Sequence, residues 1–141
     1  HSNGGQIALS VLEISGKNYP TTLWAPVSKP FPFSILYYTD EADDFGKALR
    51  KVVAGFEALY DGDEFSIHEF YDWINAPIQI HQGTVDESVP VKWSQDLAKA
   101  LEDKDKEAKL NVYPGADHNL SGGENSWNQA VQRDVLWFNT H

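Results

Sequence analysis

Ser2, Asp86 and His118 are the side chains whose types and order best support chemistry in this sequence. A serine hydroxyl is a poor nucleophile at neutral pH. It needs a base to take its proton, and a histidine base needs a carboxylate to fix its tautomer and steady the imidazolium that forms. Taken singly, each residue has an ordinary explanation. A serine before Gly4-Gly5 suits a loop, Asp86 suits a turn or helix cap, and His118 suits the surface. Asp117 is a poorer partner for His118, because an adjacent residue cannot easily share its direction. The order Ser, Asp, His gains weight only if the chain brings the three together.

The surrounding pattern is that of a parallel α/β sheet. Ile7, Ala8, Val11, Leu12 and Ile14 recur at near-helical spacing and Gly16 stops them, so a helix is expected over 4–15, with the glycine pair in its first turn. The run Thr21 to Val27 is short, apolar and rich in β-formers, which predicts a buried strand. Residues 77–81 and 110–113 are two further strands. The helix 90–102 turns Trp93, Leu97 and Leu101 inward, and the helix 126–140 does the same with Trp127, Val131, Val135 and Phe138. Strands and helices alternating at these lengths imply right-handed crossovers. In such a sheet the loops leaving the carboxyl ends of the strands share one rim, and each of the three residues lies on a connection expected there.

Between the first two strands, residues 29–75 form a long aromatic-rich insertion. Ser34 to Tyr38 is compatible with strand or buried helix. Phe45, Leu49, Val52, Val53, Phe56 and Leu59 predict a helix with Thr39 or Asp40 at its start, and a second short one follows around Ile67, Phe70, Trp73 and Ile74. The charged run from Glu102 to Glu107 reads as a solvated loop.

Composition removes several functions. The chain has 141 residues and a formal net charge of −10, and a surface that acidic repels phosphate backbones and anionic lipid. With no cysteine there is no disulfide framework, thiolate nucleophile or cysteine zinc site; the lack suits a cytosolic setting without excluding secretion. No apolar run approaches the roughly 18 residues of a membrane span. No histidine and carboxylate set has metal spacing, since His68-Glu69 lacks a second histidine four residues on. His68 is expected at the surface and His81 packed at a strand end.

Three segments resemble the α/β-hydrolases, most closely the dienelactone-hydrolase-like and prolyl-oligopeptidase-like (S9) serine hydrolases and small acyl esterases. His1-Ser2-Asn3-Gly4-Gly5 is similar to the nucleophile elbow Gly-x-Ser-x-Gly from its second position onward. Gln82 to Pro90 resembles the Gly-x-x-Asp-x-x-Val-Pro segment that carries the acid, and Tyr113-Pro114-Gly115-Ala116-Asp117-His118 resembles the one ending in the catalytic histidine. The resemblance implies Ser2 as nucleophile, His118 as base, Asp86 as its carboxylate and the backbone N–H of Asn3 as an oxyanion donor. It implies an acyl-enzyme route on carboxylic esters, without cofactor or metal. An S9-like peptidase, or a non-catalytic interaction module on the same fold, are the alternatives.

The resemblance also implies that 1–141 is the C-terminal portion of one domain, with 29–75 a cap-like insertion. Phe31, Phe33, Tyr37 and Trp73 are its candidate substrate-pocket residues. The family's earlier strands, and the strand expected before Ser2, are not in the sequence, which predicts an open apolar sheet edge at 21–27. The expected partners are a small-molecule ester or peptide and the N-terminal portion of the same hydrolase, as a separate chain or segment.

Overall fold

Three parallel strands, β1 (Thr21–Trp24), β2 (Ile78–Gly83) and β3 (Ala108–Tyr113), lie side by side in that order in the computed structural model, which describes residues 1–141 except the side chain of Asp40. Trp24 is in register with His81, and Gly83 with Tyr113. All six residues of β2 are buried, as expected for a central strand covered on both faces. Its polar residues are tolerable there because each finds hydrogen-bond partners, described below.

Five helices accompany the strands: α1 (Asn3–Ser15), α2 (Phe33–Leu36), α3 (Lys47–Glu57), α4 (Val91–Glu102) and α5 (Ser126–Thr140). Side chains alternate across a strand, so Gln79 and His81 face one side of the sheet and Gln82 the other. The former pair bonds Asp134 on α5 and the latter bonds Ser94 on α4, which places these helices on opposite faces. Leu9 and Leu12 of α1 and Trp93, Leu97 and Leu101 of α4 are buried. Gly16 ends α1 in the left-handed conformation, at φ 58°.

The inward face expected for α5 is the wrong one. Trp127, Val131, Val135 and Phe138 are exposed, and Ser126, Ala130 and Trp137 are buried instead. The helix turns this way because Asp134 is drawn to the sheet by donors on β1 and β2. On α1, Ile7, Val11 and Ile14 are likewise exposed.

Chain segments His1–Ser28 and Tyr71–His141 form one compact unit and Lys29–Phe70 a second. In the second, the segment 34–38 resolves as the short helix α2. The following helix, α3, starts at Lys47, where the Asp44 carboxylate accepts from the N–H groups of Gly46 and Ala48 at 2.9 and 2.8 Å. Thr39 instead donates its hydroxyl to the Leu36 carbonyl, and the other expected cap, Asp40, lies outside the described side chains. Phe56 organises the unit's aromatic cluster, with Phe31, Tyr60 and Phe65 rings 4.9 to 5.4 Å away.

Candidate active site

The loop after β2 presents Asp86, whose side chain is fully buried. Its Oδ1 accepts from the backbone N–H groups of Ser88 and Val89 at 2.9 and 2.8 Å. Oδ2 accepts from Gln82 Nε2 at 2.8 Å. His118 Nδ1 donates to the same carboxylate, 2.9 Å from Oδ2 and 3.1 Å from Oδ1. A carboxylate only accepts, so Nδ1 carries the proton and Nε2 is left with its lone pair, the tautomer a general base requires. Asp117 takes another part: its Oδ1 accepts from the N–H groups of Asn119 and Ser121, shaping the loop.

The two loops are stitched together at the backbone. Val85 N–H donates to the Ala116 carbonyl at 3.1 Å and Gly115 N–H to the Thr84 hydroxyl at 2.9 Å. Gly83 is required here, because a Cβ on it would lie 2.1 Å from the Ala116 carbonyl oxygen.

Ser2 sits at the start of α1 with φ 53° and ψ −126°, a backbone conformation that side-chain-bearing residues rarely adopt and that concentrates at functional positions. Its N–H donates to the Trp24 carbonyl at the end of β1, at 2.9 Å. Gly5 lets the helix begin against the sheet, since a Cβ there would meet Pro26 Cβ at 2.5 Å. His1 joins this turn to the histidine loop: its ring lies 4.5 Å from that of His118, and its Nε2 donates to the His118 carbonyl at 3.0 Å. Among the described residues Ser2 Oγ makes no hydrogen bond to the His118 ring. Free enzymes commonly close that contact only when substrate arrives. The next N–H groups, of Gly4 and Gly5, are taken by the His1 and Ser2 carbonyls, while that of Asn3 has no acceptor among the described residues.

Phe31, Phe33 and Tyr37 belong to the unit Lys29–Phe70, where Phe31 packs edge-on against Phe56 and Phe33 lies 5.7 Å from Tyr37. Trp73 is not brought beside Ser2, Asp86 and His118. Its neighbour Asp72 pairs with Lys104 at 2.6 Å, and Asn75 Nδ2 donates to the Gly16 carbonyl, at the opposite end of α1 from Ser2. A groove of about 480 Å³ lined by Asn75, Pro77, Glu107 and His141 also lies at that far end. His68 is half-buried rather than exposed, and burial and nearby Lys29 push its pKa down. His81 is fully buried, as its strand-end position suggests.

Gln82 is a site residue that pattern reading misses. It donates from Nε2 to Asp86, accepts the Ser94 hydroxyl at 2.7 Å, and also donates to the Val89 carbonyl at 3.1 Å. Its only signal in the sequence is an amide four residues before the acid, in a strand that also carries Gln79 and His81.

The chain matches the model of the dienelactone hydrolase family over residues 50–140, a stretch that includes Asp86 and His118 and not Ser2. No curated protein matches it. Among solved structures it resembles a Pyrococcus horikoshii acylaminoacyl peptidase, with TM-score 0.74, 15% identity and coverage of 98% of this chain and 22% of that one. It also resembles a Mycobacterium tuberculosis puromycin-hydrolyzing peptidase, with TM-score 0.63, 23% identity and coverage of 84% and 18%. A third likeness is to Porphyromonas gingivalis dipeptidyl peptidase 4, with TM-score 0.67, 20% identity and coverage of 98% and 18%. The chain thus spans about a fifth of the length of each, and at these identities the likeness is one of fold. The three parallel strands and flanking helices are α/β-hydrolase architecture, and with more than half of its length matching that family's model, the chain belongs to the dienelactone hydrolase family.

Proposed function

We propose that Ser2, His118 and Asp86 form the triad of a serine hydrolase that cleaves carboxylic esters through an acyl-enzyme. The observation that carries this reading is His118 Nδ1 held by the buried Asp86 carboxylate, on a loop whose carbonyl His1 grips from beside Ser2. In the proposed cycle His118 Nε2 takes the Ser2 proton as Oγ attacks the ester carbonyl. The tetrahedral oxyanion is met by the Asn3 N–H, His118 returns the proton to the departing alkoxide, and water then repeats the sequence to release the acid. Removing one oxyanion donor in such a site costs about 2.7–4 kcal/mol of transition-state stabilisation.

The test is covalent labelling of the full-length protein with a fluorophosphonate, followed by peptide mapping. Modification at Ser2 that disappears in Ser2→Ala supports the triad. Absence of labelling in the full-length protein leaves the interaction-module reading. Asp86→Asn, which keeps shape and inverts the histidine tautomer, is expected to lower kcat by about 10⁴-fold.

A peptide substrate is the second reading, favoured by the acylaminoacyl and puromycin-hydrolyzing peptidases that share the fold. The ratio of kcat/KM for a p-nitrophenyl acyl ester to that for an aminoacyl anilide of the same acyl group separates the two.

We also propose that the N-terminal portion of the same hydrolase is the chain's macromolecular partner. The exposed apolar residues on α1 and α5, flanking a sheet whose β1 edge has no paired strand among the described residues, support it.

A further inference from the structure

On the α5 face of the sheet lies a second histidine and carboxylate pair that the proposed mechanism does not use. Asp134, with its side chain 17% exposed, accepts three hydrogen bonds: Trp24 Nε1 at 2.8 Å on Oδ2, and His81 Nε2 at 2.9 Å and Gln79 Nε2 at 3.1 Å on Oδ1. His81 is fully buried, and its Nδ1 lies 2.7 Å from the Tyr113 hydroxyl. That hydroxyl in turn accepts from Arg133 Nη1 at 3.1 Å, with the guanidinium 5.2 Å from the Tyr113 ring centre. Donors and acceptors then run in one direction. Arg133 donates to Tyr113, Tyr113 to His81 Nδ1, and His81 Nε2 to Asp134, a chain complete with a neutral imidazole.

Trp24, His81 and Tyr113 also make main-chain hydrogen bonds on the site's side of the sheet. The Trp24 carbonyl accepts the Ser2 N–H at 2.9 Å, and the His81 carbonyl accepts the Ala25 N–H at 2.8 Å, next to the Pro26 that Gly5 abuts. The Tyr113 carbonyl accepts from Thr84 at 3.1 Å and Ala116 at 3.3 Å, one on the Asp86 loop and one on the His118 loop. Side chains therefore tie the three strands to one carboxylate on α5, while the Trp24 and Tyr113 carbonyls hold the three loops of the proposed triad on the rim.

We propose that Asp134 is a positioning residue for hydrolysis, fixing through Trp24, His81 and Tyr113 the relative placement of Ser2, Asp86 and His118. The proposal rests on the triad reading above. Asp134→Asn turns one acceptor into a donor against these N–H groups, and Tyr113→Phe removes only the hydroxyl. Misplacement by about 1 Å costs as much as 10²-fold in rate, so both variants should lose about 10- to 100-fold in kcat per titrated active site, with KM little changed. The rate constant for fluorophosphonate labelling should fall in parallel.

Gln132→Gly provides the comparison, because it weakens α5 at an exposed position while leaving the network's side chains in place. It should lower Tm and keep kcat. All measurements use the full-length protein at a temperature where near-ultraviolet circular dichroism shows each variant folded. Wild-type kcat and labelling in Asp134→Asn, whatever its Tm, would overturn the proposal and leave Asp134 a stabilising residue only. An equal fall in kcat in Gln132→Gly would overturn it too, since loosening the helix would then suffice. A wild-type protein that does not label at Ser2 instead overturns the triad reading, and the positioning role with it.

Discussion

Glu13 lies outside the proposed triad, yet it is the residue whose burial is hardest to reconcile with its charge. It sits on α1 at 5% exposure, its Oε1 finds no hydrogen-bond partner, and burial raises its pKa from 4.5 to about 8. Its charge in turn helps push the buried Tyr71 hydroxyl up. Between pH 4.5 and 8 the folded chain keeps a proton that the unfolded chain has released. The stability Glu13 contributes is therefore full below pH 4.5 and falls as pH rises toward 8, by on the order of 1.4 kcal/mol per unit. Glu13→Gln should remove that slope, so the stability difference between variant and wild type in urea titrations should widen from pH 5 to pH 8. A difference that stays constant would mean the carboxyl is ionised in the fold. His81 acts in the opposite window: burial outweighs Asp134 and lowers its pKa, so its contribution is full above 6.5 and is lost as pH falls below that. At the same scale, Gln82→Leu should destabilise by about 1–3 kcal/mol, by leaving the Asp86 carboxylate and the Val89 carbonyl short of a donor. Neither Glu13 nor Asp134 announces itself in the sequence, because both are charged residues on helices that read as solvated faces. The pairing of Asp86 with His118 was legible because the order of loop residues survives without coordinates.

Elements were legible where periodicity and burial agree. The helix expected over 90–102 is α4, with Trp93, Leu97 and Leu101 buried, and that expected over 126–140 has the bounds of α5. The direction α5 faces was not legible, since its apolar stripe is exposed and a single aspartate turns it to the sheet. The strand expected over 21–27 narrows to Thr21–Trp24, and Leu23, Ala25 and Val27 are buried, so the chain's apolar exposure lies on helices rather than along that strand. Within 40–75 the helix expected through Leu49, Val52, Val53 and Phe56 is α3, with its start moved to Lys47 by Asp44, while the second short helix is replaced after Gly62 by successive 3₁₀ turns. Close packing at loop junctions gives a prediction at this scale. Gly83→Ala puts a methyl against the Ala116 carbonyl carbon at 2.6 Å, where the obstacle is backbone and cannot rotate away. The β2 and β3 loops must then part, and Asp86 with His118. The expected result is a loss of fluorophosphonate labelling out of proportion to the loss of Tm; unchanged labelling would show that the loops absorb the methyl.

For the molecule as a whole, the apolar surface has a pattern. On α1, Ile7, Val11 and Ile14 are 67%, 51% and 83% exposed, and on α5, Val131, Val135 and Phe138 are 39%, 57% and 54% exposed. Both sets recur every three or four residues, the signature of a helix face that another element covers. Scattered surface hydrophobics need no cover, but apolar exposure grouped along one helix face is of the kind that marks interaction sites. If the rest of the hydrolase lies on them, a charge placed in either stripe of the full-length protein must be buried. Val135→Lys and Val11→Lys should then each cost several kcal/mol, since an unpaired buried charge has nothing to offset its lost hydration. A surface substitution stays within about 0.5 kcal/mol. Glu124→Lys, on an exposed loop residue, supplies that comparison. Denaturant titration of the three variants decides the matter: a shift for both stripe variants with none for Glu124→Lys places the partner across α1 and α5. If both stripe variants match wild type, the faces are solvated in the assembled protein, and the proposed covering by the N-terminal portion is wrong.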